Sequence, residues 1–496
     1  MPDTISLSLV SHTNVGKTTL ARTLLARDIG EVRDAPHVTE FADPHLLLQD
    51  AAGNALTLWD TPGFGDSARL VRRLRQQGNP LGWFLSEVWD RWRDRPFWAS
   101  QHVVRHVRET SDVVLYLVNA AEPPAAAGYV EPEMALLDWI GKPVLVLLNQ
   151  LGPPHAGDAD ARDVQRWQAV LQGWPQVRAV LPLDAFARCW VQEGALWQAV
   201  QAALPPPRQE AMAALRQAWA QQRRQQFDTA VQALAQSLAR LAATHVALPE
   251  GGGVKDTLRQ IGSVLGLAES RPAALDGAER QVAALIEDET RRSTAALIAL
   301  HGLHGQATGL VLERLGAHVE WRRRVGEGSA AVLGGLVSGA ATGLAADVAS
   351  GGLTLGGGMI AGSVLGALGA AGLARGLNVV RGTDRGWVGL ADAALQALLR
   401  AALLRYLAVA HFGRGRGQWR DGEAPPHWVQ AVDAVLAGTP AAFDAVWSAR
   451  TKAFDNAGEA ERLGAALQPL LARSVTDVLA LLYPDAVGST ALHGSA

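Results

Sequence analysis

Residues 5–19, ISLSLVSHTNVGKTT, constrain this chain more than any other stretch. Ile5, Leu7, Leu9 and Val10 give a short strand with largely alternating apolar character. It runs into a loop ending in Gly16-Lys17-Thr18-Thr19, and then into a helix-forming run over residues 20–26. Strand, loop closing on Gly-Lys-Thr, and helix together make a cradle for a polyphosphate. Backbone N–H groups wrap round the anion, the lysine neutralises β/γ oxygens, and the threonine hydroxyl meets Mg2+. The full pattern has glycine five positions before Gly16, where this chain has Ser11. Serine allows close backbone approach but reaches positive φ less freely than glycine. Asp60-Thr61-Pro62-Gly63 follows the apolar residues 56–59, and the pair of motifs argues against chance. A nucleotide site is expected here.

A length of 496 residues points to about three domains. The formal charge of -3 gives no support for a nucleic-acid partner, and none is expected. The single cysteine, Cys189, excludes an internal disulfide, fits a reducing compartment and reads as a small buried hydrophobe. The first residues show no basic segment leading into a long apolar one, so the expected location is cytoplasmic.

Further strands fit residues 45–48, 56–59, 113–118, 144–148 and 177–183, with helical stretches around 134–140, 161–171 and 196–204. The runs at 113–118 and 144–148 are continuously apolar, as in parallel strands buried on both faces. Strands alternating with helices predict an α/β P-loop domain over residues 1–205: a mostly parallel sheet, helices on both faces, and nucleotide at the carboxyl ends of the strands. An Arg- and Trp-rich insertion at residues 69–108, with Trp83, Trp89, Trp92 and Trp98, reads as a helical excursion whose tryptophans serve a core rather than, as the alternative, a partner surface.

Asn14-Val15-Gly16-Lys17-Thr18, then Asp-Thr-Pro-Gly, then a strand ending in Asn149, resembles the Era-like branch of bacterial GTPases. The resemblance implies GTP/GDP with Mg2+. Val15, Gly16 and Thr19 would belong to the phosphate loop, Lys17 would hold the β/γ-phosphates and Thr18 would ligate the metal. Asp60 would hold the metal through water, and the Gly63 N–H would sense the γ-phosphate. Thr39 would close on the metal from the first switch. Phe64 stands where a water-orienting glutamine occurs in other GTPases, so slow hydrolysis is expected. Its help would be K+ held partly by Asn14, or an activating partner. Guanine selection departs from the family pattern: the expected Asn-Lys-x-Asp reads Asn149-Gln150-Leu151-Gly152. Asp158 or Asp160 could reach in instead, and Asp184 and Ala185 occupy the place of a guanine-contacting loop.

After the prolines at 205–207, residues 208–246 contain neither Pro nor Gly, and Phe227, Val231, Leu234, Leu238 and Leu241 form a helical seam. This long helix, within residues 206–328, reads as a stalk; no strand-like alternation follows residue 205. Residues 329–374 are glycine-rich and almost free of charge, with Asp347 near a central break and arginines on both flanks. Two runs of about twenty residues match the span of a hydrocarbon core. Gly335, Gly339 and Gly343 on one run, and Gly358, Gly362 and Gly366 on the other, give each helix a smooth stripe for close packing. A membrane hairpin on the cytoplasmic face of the inner membrane and a buried hairpin in a soluble bundle both fit. Residues 375–496 read as helical, with segments at 387–407, 428–436, 460–467 and 470–482, the last opened by Pro469.

This layout, a GTPase domain with Asn-Gln-Leu-Gly followed by a glycine-rich block in an all-helical half, resembles a proteobacterial group in which a GTPase is fused to domain-of-unknown-function family 3482. The expectation is a slow GTPase switch coupled to a membrane-associated helical domain. Rival readings are a nucleotide-binding scaffold with little hydrolysis, and a membrane-remodelling or pore-forming homo-oligomer.

Overall fold

The apolar alternation over residues 5–10 becomes strand β1 (Thr4–Ser11), placed at the centre of a six-stranded sheet. The computed structural model describes residues 2–12, 15–25, 43–64, 67–76, 95–151, 159–183, 189–247, 273–303, 377–381, 386–411, 426–450 and 456–484. The other strands are β2 (Asp43–Gln49), β3 (Ala55–Asp60), β4 (Val113–Asn119), β5 (Val144–Asn149) and β6 (Val177–Pro182). They lie in the order β2-β3-β1-β4-β5-β6; all run parallel except β2, which lies antiparallel against β3 at one edge.

Each central strand feeds two cores, because successive side chains leave opposite faces. Val114, Tyr116 and Val118 join one core with α2 (Ser67–Gln76), α3 (Arg95–Thr110), α4 (Val130–Ile140) and α5 (Ala159–Leu171). Val113, Leu115 and Leu117 join the other with α1 (Lys17–Leu25), α6 (Trp190–Ala203) and the first part of α7 (Pro206–Ala243). This is the P-loop fold that the sequence predicts. Cys189 is fully buried just before α6. Within the expected insertion, helices α2 and α3 are present; Trp83, Trp89 and Trp92, and the side chain of Trp98, lie outside the described residues.

The chain divides into two compact units, Met1–Arg224 with Ala410–Trp419 and Tyr483–Ala496, and Gln225–Val409 with Arg420–Leu482. The second contains α8 (Ala273–Leu300), α9 (Asp392–Ala410), α10 (Pro426–Gly438), α11 (Pro440–Ser448) and α12 (Asn456–Leu482). It also corrects the expectation that no strand follows residue 205. β7 (His245–Ala247), β8 (Leu377–Arg381) and β9 (Gly386–Leu390) form an antiparallel sheet ordered β7-β9-β8. Strands of three to five residues are too short to show periodicity. The helix expected over 387–407 therefore begins later, at Asp392. Gly389 allows the close approach: a Cβ there would lie 3.3 Å from His245 Cδ2.

A second correction concerns Pro469, which lies inside α12 rather than opening a new helix. Leu463, Leu467, Leu471, Val475 and Val478 continue one buried stripe past it. Packing along that stripe outweighs the roughly 3 kcal/mol that an interior proline costs.

Helix α9 is long and apolar enough to cross a membrane, yet 72% of its most apolar window is buried within the protein. Arg405, in its C-terminal half, is also buried, and burial pulls its guanidinium down to about 10 while Glu289 opposes the shift. Glu289 also accepts from Arg240 Nε at 3.1 Å and pairs with Arg292 at 3.0 Å. Burial of this kind accounts for the apolar character of α9 without a bilayer. Part of α12, Ala457–Leu482, passes the same length and hydropathy test with 33% of its window buried. Residues 329–374, read above as a hairpin, lie outside the described residues.

Candidate functional site: the loop between β1 and α1

The site forms where β1 gives way to α1, at the carboxyl edge of the parallel sheet. Ser11 is the last residue of β1 and lies among the residues of ordinary φ. The positive φ for which glycine is favoured is therefore not required there. Its hydroxyl is put to use, accepting from Lys17 Nζ at 3.0 Å and donating to the His12 carbonyl. Gly16 does carry a positive φ, +93°, and a Cβ at that position would lie 2.8 Å from Asn149 Nδ2. The first turn of α1 follows directly, with Leu20 N–H donating to Gly16 O at 3.0 Å.

Lys17 and Thr18 open α1, so both stand where free backbone N–H groups and the helix dipole favour an anion. Burial holds the Lys17 ammonium below the usual lysine range, with Asp60 and Glu133 pulling the other way. Thr18 Oγ1 donates to Asp60 Oδ2 at 2.9 Å. Asp60 ends β3 and is 5% exposed. The segment after it is stitched back to β1: Thr61 Oγ1 donates to Leu9 O at 2.7 Å, and Phe64 N–H donates to Ser11 O at 3.0 Å. Gly63 is half-buried within that segment, and Phe64 is fully buried in the core.

Asn149 ends β5 and is fully buried; its Nδ2 donates to Val15 O at 2.7 Å. The side chain expected to face the base therefore also braces the phosphate loop. Gln150, next in the chain, takes a positive φ of 58° that side chains adopt at a cost of about 1 kcal/mol or more.

The structure thus gathers Val15, Gly16, Lys17, Thr18, Thr19, Asp60 and Asn149 round one loop, with Gly63 in the strand extension bound to it. Asn14, Thr39, Gly152, Asp158, Asp184 and Ala185, and the side chain of Asp160, lie outside the described residues. A hydroxyl and a carboxylate side by side at a helix N-terminus are hard oxygen donors, the chemistry that Mg2+ takes when phosphates supply further ligands. The site fits that ion.

The loop also carries a contact that no sequence motif announces. His12 Nδ1 lies 2.8 Å from Glu133 Oε1, and Tyr116 OH donates to Glu133 Oε2 at 2.6 Å. His12 and Glu133 are 121 positions apart, and no local pattern joins them.

Residues 175–434, more than half of the chain, match the family described as Domain of unknown function (DUF3482). This chain belongs to the DUF3482 family. Residues 6–150 match a second family, described as 50S ribosome-binding GTPase, so this DUF3482 protein carries a P-loop GTPase domain ahead of its helical region. GTPase Der of Myxococcus xanthus (strain DK1622) is 28% identical over 150 residues, which is 29% of this chain and 26% of that protein. The chain thus spans about a quarter of the length of the curated relative it matches. Among solved structures, Aquifex aeolicus Era bound to GDP and AlF4 is 17% identical with a TM-score of 0.29, covering 41% of this chain and 57% of that one. Era in complex with MgGDPNP and a segment of 16S ribosomal RNA is 17% identical with a TM-score of 0.30, covering 41% and 58%. At such scores these two likenesses carry no argument about the fold.

Proposed function

We propose that the loop between β1 and α1 binds GTP or GDP with Mg2+, and that the chain is a slow GTPase switch. The observation that carries this reading is the pair Thr18 Oγ1–Asp60 Oδ2 at 2.9 Å, beside Lys17 at the start of the same helix. Bound there, Mg2+ would supply charge neutralisation between the β- and γ-phosphates. Lys17 would hold the phosphate oxygens, Thr18 and Asp60 would hold the metal, and the loop N–H groups of Val15, Gly16 and Thr19 would orient the anion. Asn149 braces the loop and would face the base. Asn14, Thr39, Asp184 and Ala185 keep the roles that the family resemblance assigns them: K+ holding, switch closure and base contact.

Slow turnover follows from Phe64, which is apolar and fully buried where a water-orienting side chain would be needed. A second reading, a nucleotide-binding scaffold with little hydrolysis, is favoured by the same residue. Multiple turnover in K+ but not in Na+ supports the switch, and no turnover in either supports the scaffold. Titration calorimetry of the full chain with GTP, GDP and ATP, all with Mg2+, tests the site itself. Lys17→Ala is expected to weaken GTP binding on the order of 100-fold, since charge-assisted phosphate contacts are lost. Equal binding by wild type and variant removes the phosphate-site reading.

The reading extends to residues 329–374 as a membrane-associated hairpin on the cytoplasmic face of the inner membrane, supported by their low charge and basic flanks. Flotation of the full chain with anionic vesicles checks it; recovery away from the vesicles would remove both this extension and the rival pore-forming oligomer.

A further inference from the structure

Glu133 is fully buried on α4, a place where a carboxylate is costly unless every oxygen is met. Both oxygens are met. Tyr116, from the neighbouring strand β4, donates to Oε2 at 2.6 Å, and His12 Nδ1 lies 2.8 Å from Oε1. The His12 ring is fixed on a second side by Tyr129, stacked at 4.4 Å between centroids and 15° between planes. A chain that needed only to fill this space could use leucine. A hydrogen-bonded carboxylate aimed at one ring holds that ring in one orientation and place.

What the ring is attached to gives the arrangement its meaning. The His12 carbonyl accepts from the Ser11 hydroxyl, which in turn accepts from Lys17 Nζ at 3.0 Å. The Ser11 carbonyl accepts from Phe64 N–H at 3.0 Å, in the segment that carries Gly63. At the other end of the loop, Asn149 Nδ2 holds Val15 O at 2.7 Å. The loop is therefore tied down on both flanks: by Asn149 from β5, and by Glu133 through His12 from α4. We propose that Glu133 is a positioning residue for the phosphate-binding loop, acting through His12 and held in place by Tyr116.

This rests on the reading of the loop as a nucleotide site, and the experiment separates the two. GTP and GDP are titrated calorimetrically with Mg2+ into the full chain, beside the unfolding midpoint of each nucleotide-free protein. The variants are His12→Phe, Glu133→Gln, Glu133→Leu and the double variant His12→Phe/Glu133→Leu. His12→Phe keeps a ring for Tyr129 and loses the bond to Glu133; it is expected to weaken GTP binding about tenfold. Glu133→Gln retains an acceptor for Tyr116 and a partner for His12, and is expected to stay within about threefold of wild type. The double variant is expected to bind no more weakly than the worse single one, because both changes break the same link. His12→Phe or Glu133→Leu, folded and binding like wild type, or losses that multiply in the double variant, would overturn the proposal. So would a drop in midpoint with affinity unchanged, the mark of a merely structural contact. If Glu133→Leu does not fold, His12→Phe set against Glu133→Gln decides. Absence of binding by wild type would sink the nucleotide reading itself, and this assignment with it.

Discussion

Gly16 shows how little freedom a single position in this loop has. Its φ of +93° is a conformation that side chains resist, and the space for a Cβ is already taken by Asn149 Nδ2 at 2.8 Å. Gly16→Ala therefore strains the backbone and pushes Asn149 off Val15 O at the same time. The expected outcome is a loss of about 1–3 kcal/mol in urea unfolding and a GTP affinity weakened by more than about tenfold. Equal affinity would mean that the loop tolerates a displaced Asn149. That Gly16, Lys17, Thr18 and Asp60 gather round one loop is legible in the sequence because each motif is local. Ser11 was legible as a departure, but not its resolution, since a hydroxyl serving Lys17 depends on a rotamer that no pattern records. His12 and Glu133 were not legible at all. Their meeting depends on β1 and α4 being brought together by the sheet, and a glutamate in a helix ordinarily reads as a solvated face.

At the level of elements, the contact that ties α7 to the GTPase sheet is polar at its centre. Glu193 on α6 accepts from Trp219 Nε1 at 3.1 Å and from Arg223 Nη2 at 3.0 Å, with the Glu193 side chain 2% exposed. Around it Met212, Leu215 and Trp219 fill the core beneath the sheet. Removing the buried carboxylate takes this charge partner from Arg223 and the acceptor from the Trp219 indole N–H. Glu193→Ala is thus expected to cost about 3 kcal/mol. Glu193→Gln, still able to accept from Trp219, is expected to cost less. Urea unfolding followed by circular dichroism measures both, and a Glu193→Ala loss under about 0.5 kcal/mol would place this contact with ordinary surface pairs. Elements declared themselves in proportion to their length. The strands of the parallel sheet and helix α7 carry enough residues for a period to emerge. The strands β7 to β9 do not, and α12 reads as two helices in the sequence because Pro469 is a strong local signal that a long buried stripe overrides.

For the whole molecule, the question is whether nucleotide is felt beyond the first unit. Helix α7 runs unbroken over Pro206–Ala243, and the division between the units falls within it, between Arg224 and Gln225. Its first part packs under the sheet through Met212, Leu215 and Trp219, while Phe227, Val231, Leu234 and Leu238 are buried in the second unit. A ligand that binds the folded first unit stabilises it by about 2.7 kcal/mol at a hundred times its dissociation constant. It can shift the second unit solely through a difference in affinity between two arrangements of what joins them. Hydrogen exchange resolves the alternatives along this one helix. With a non-hydrolysable GTP analogue in place of GDP, amides over residues 206–224 are expected to exchange more slowly if α6 and α7 feel the loaded site. A switch further requires slowing of at least about threefold over residues 225–243, a change in local opening energy of roughly 0.6 kcal/mol. Protection that stops at the boundary would make α7 a passive connector and leave the GTPase unit to act alone. Protection that crosses it would place the coupling in the helix itself, since the backbone of α7 is the shortest covalent path by which the loop after β1 can reach the helices of the second unit.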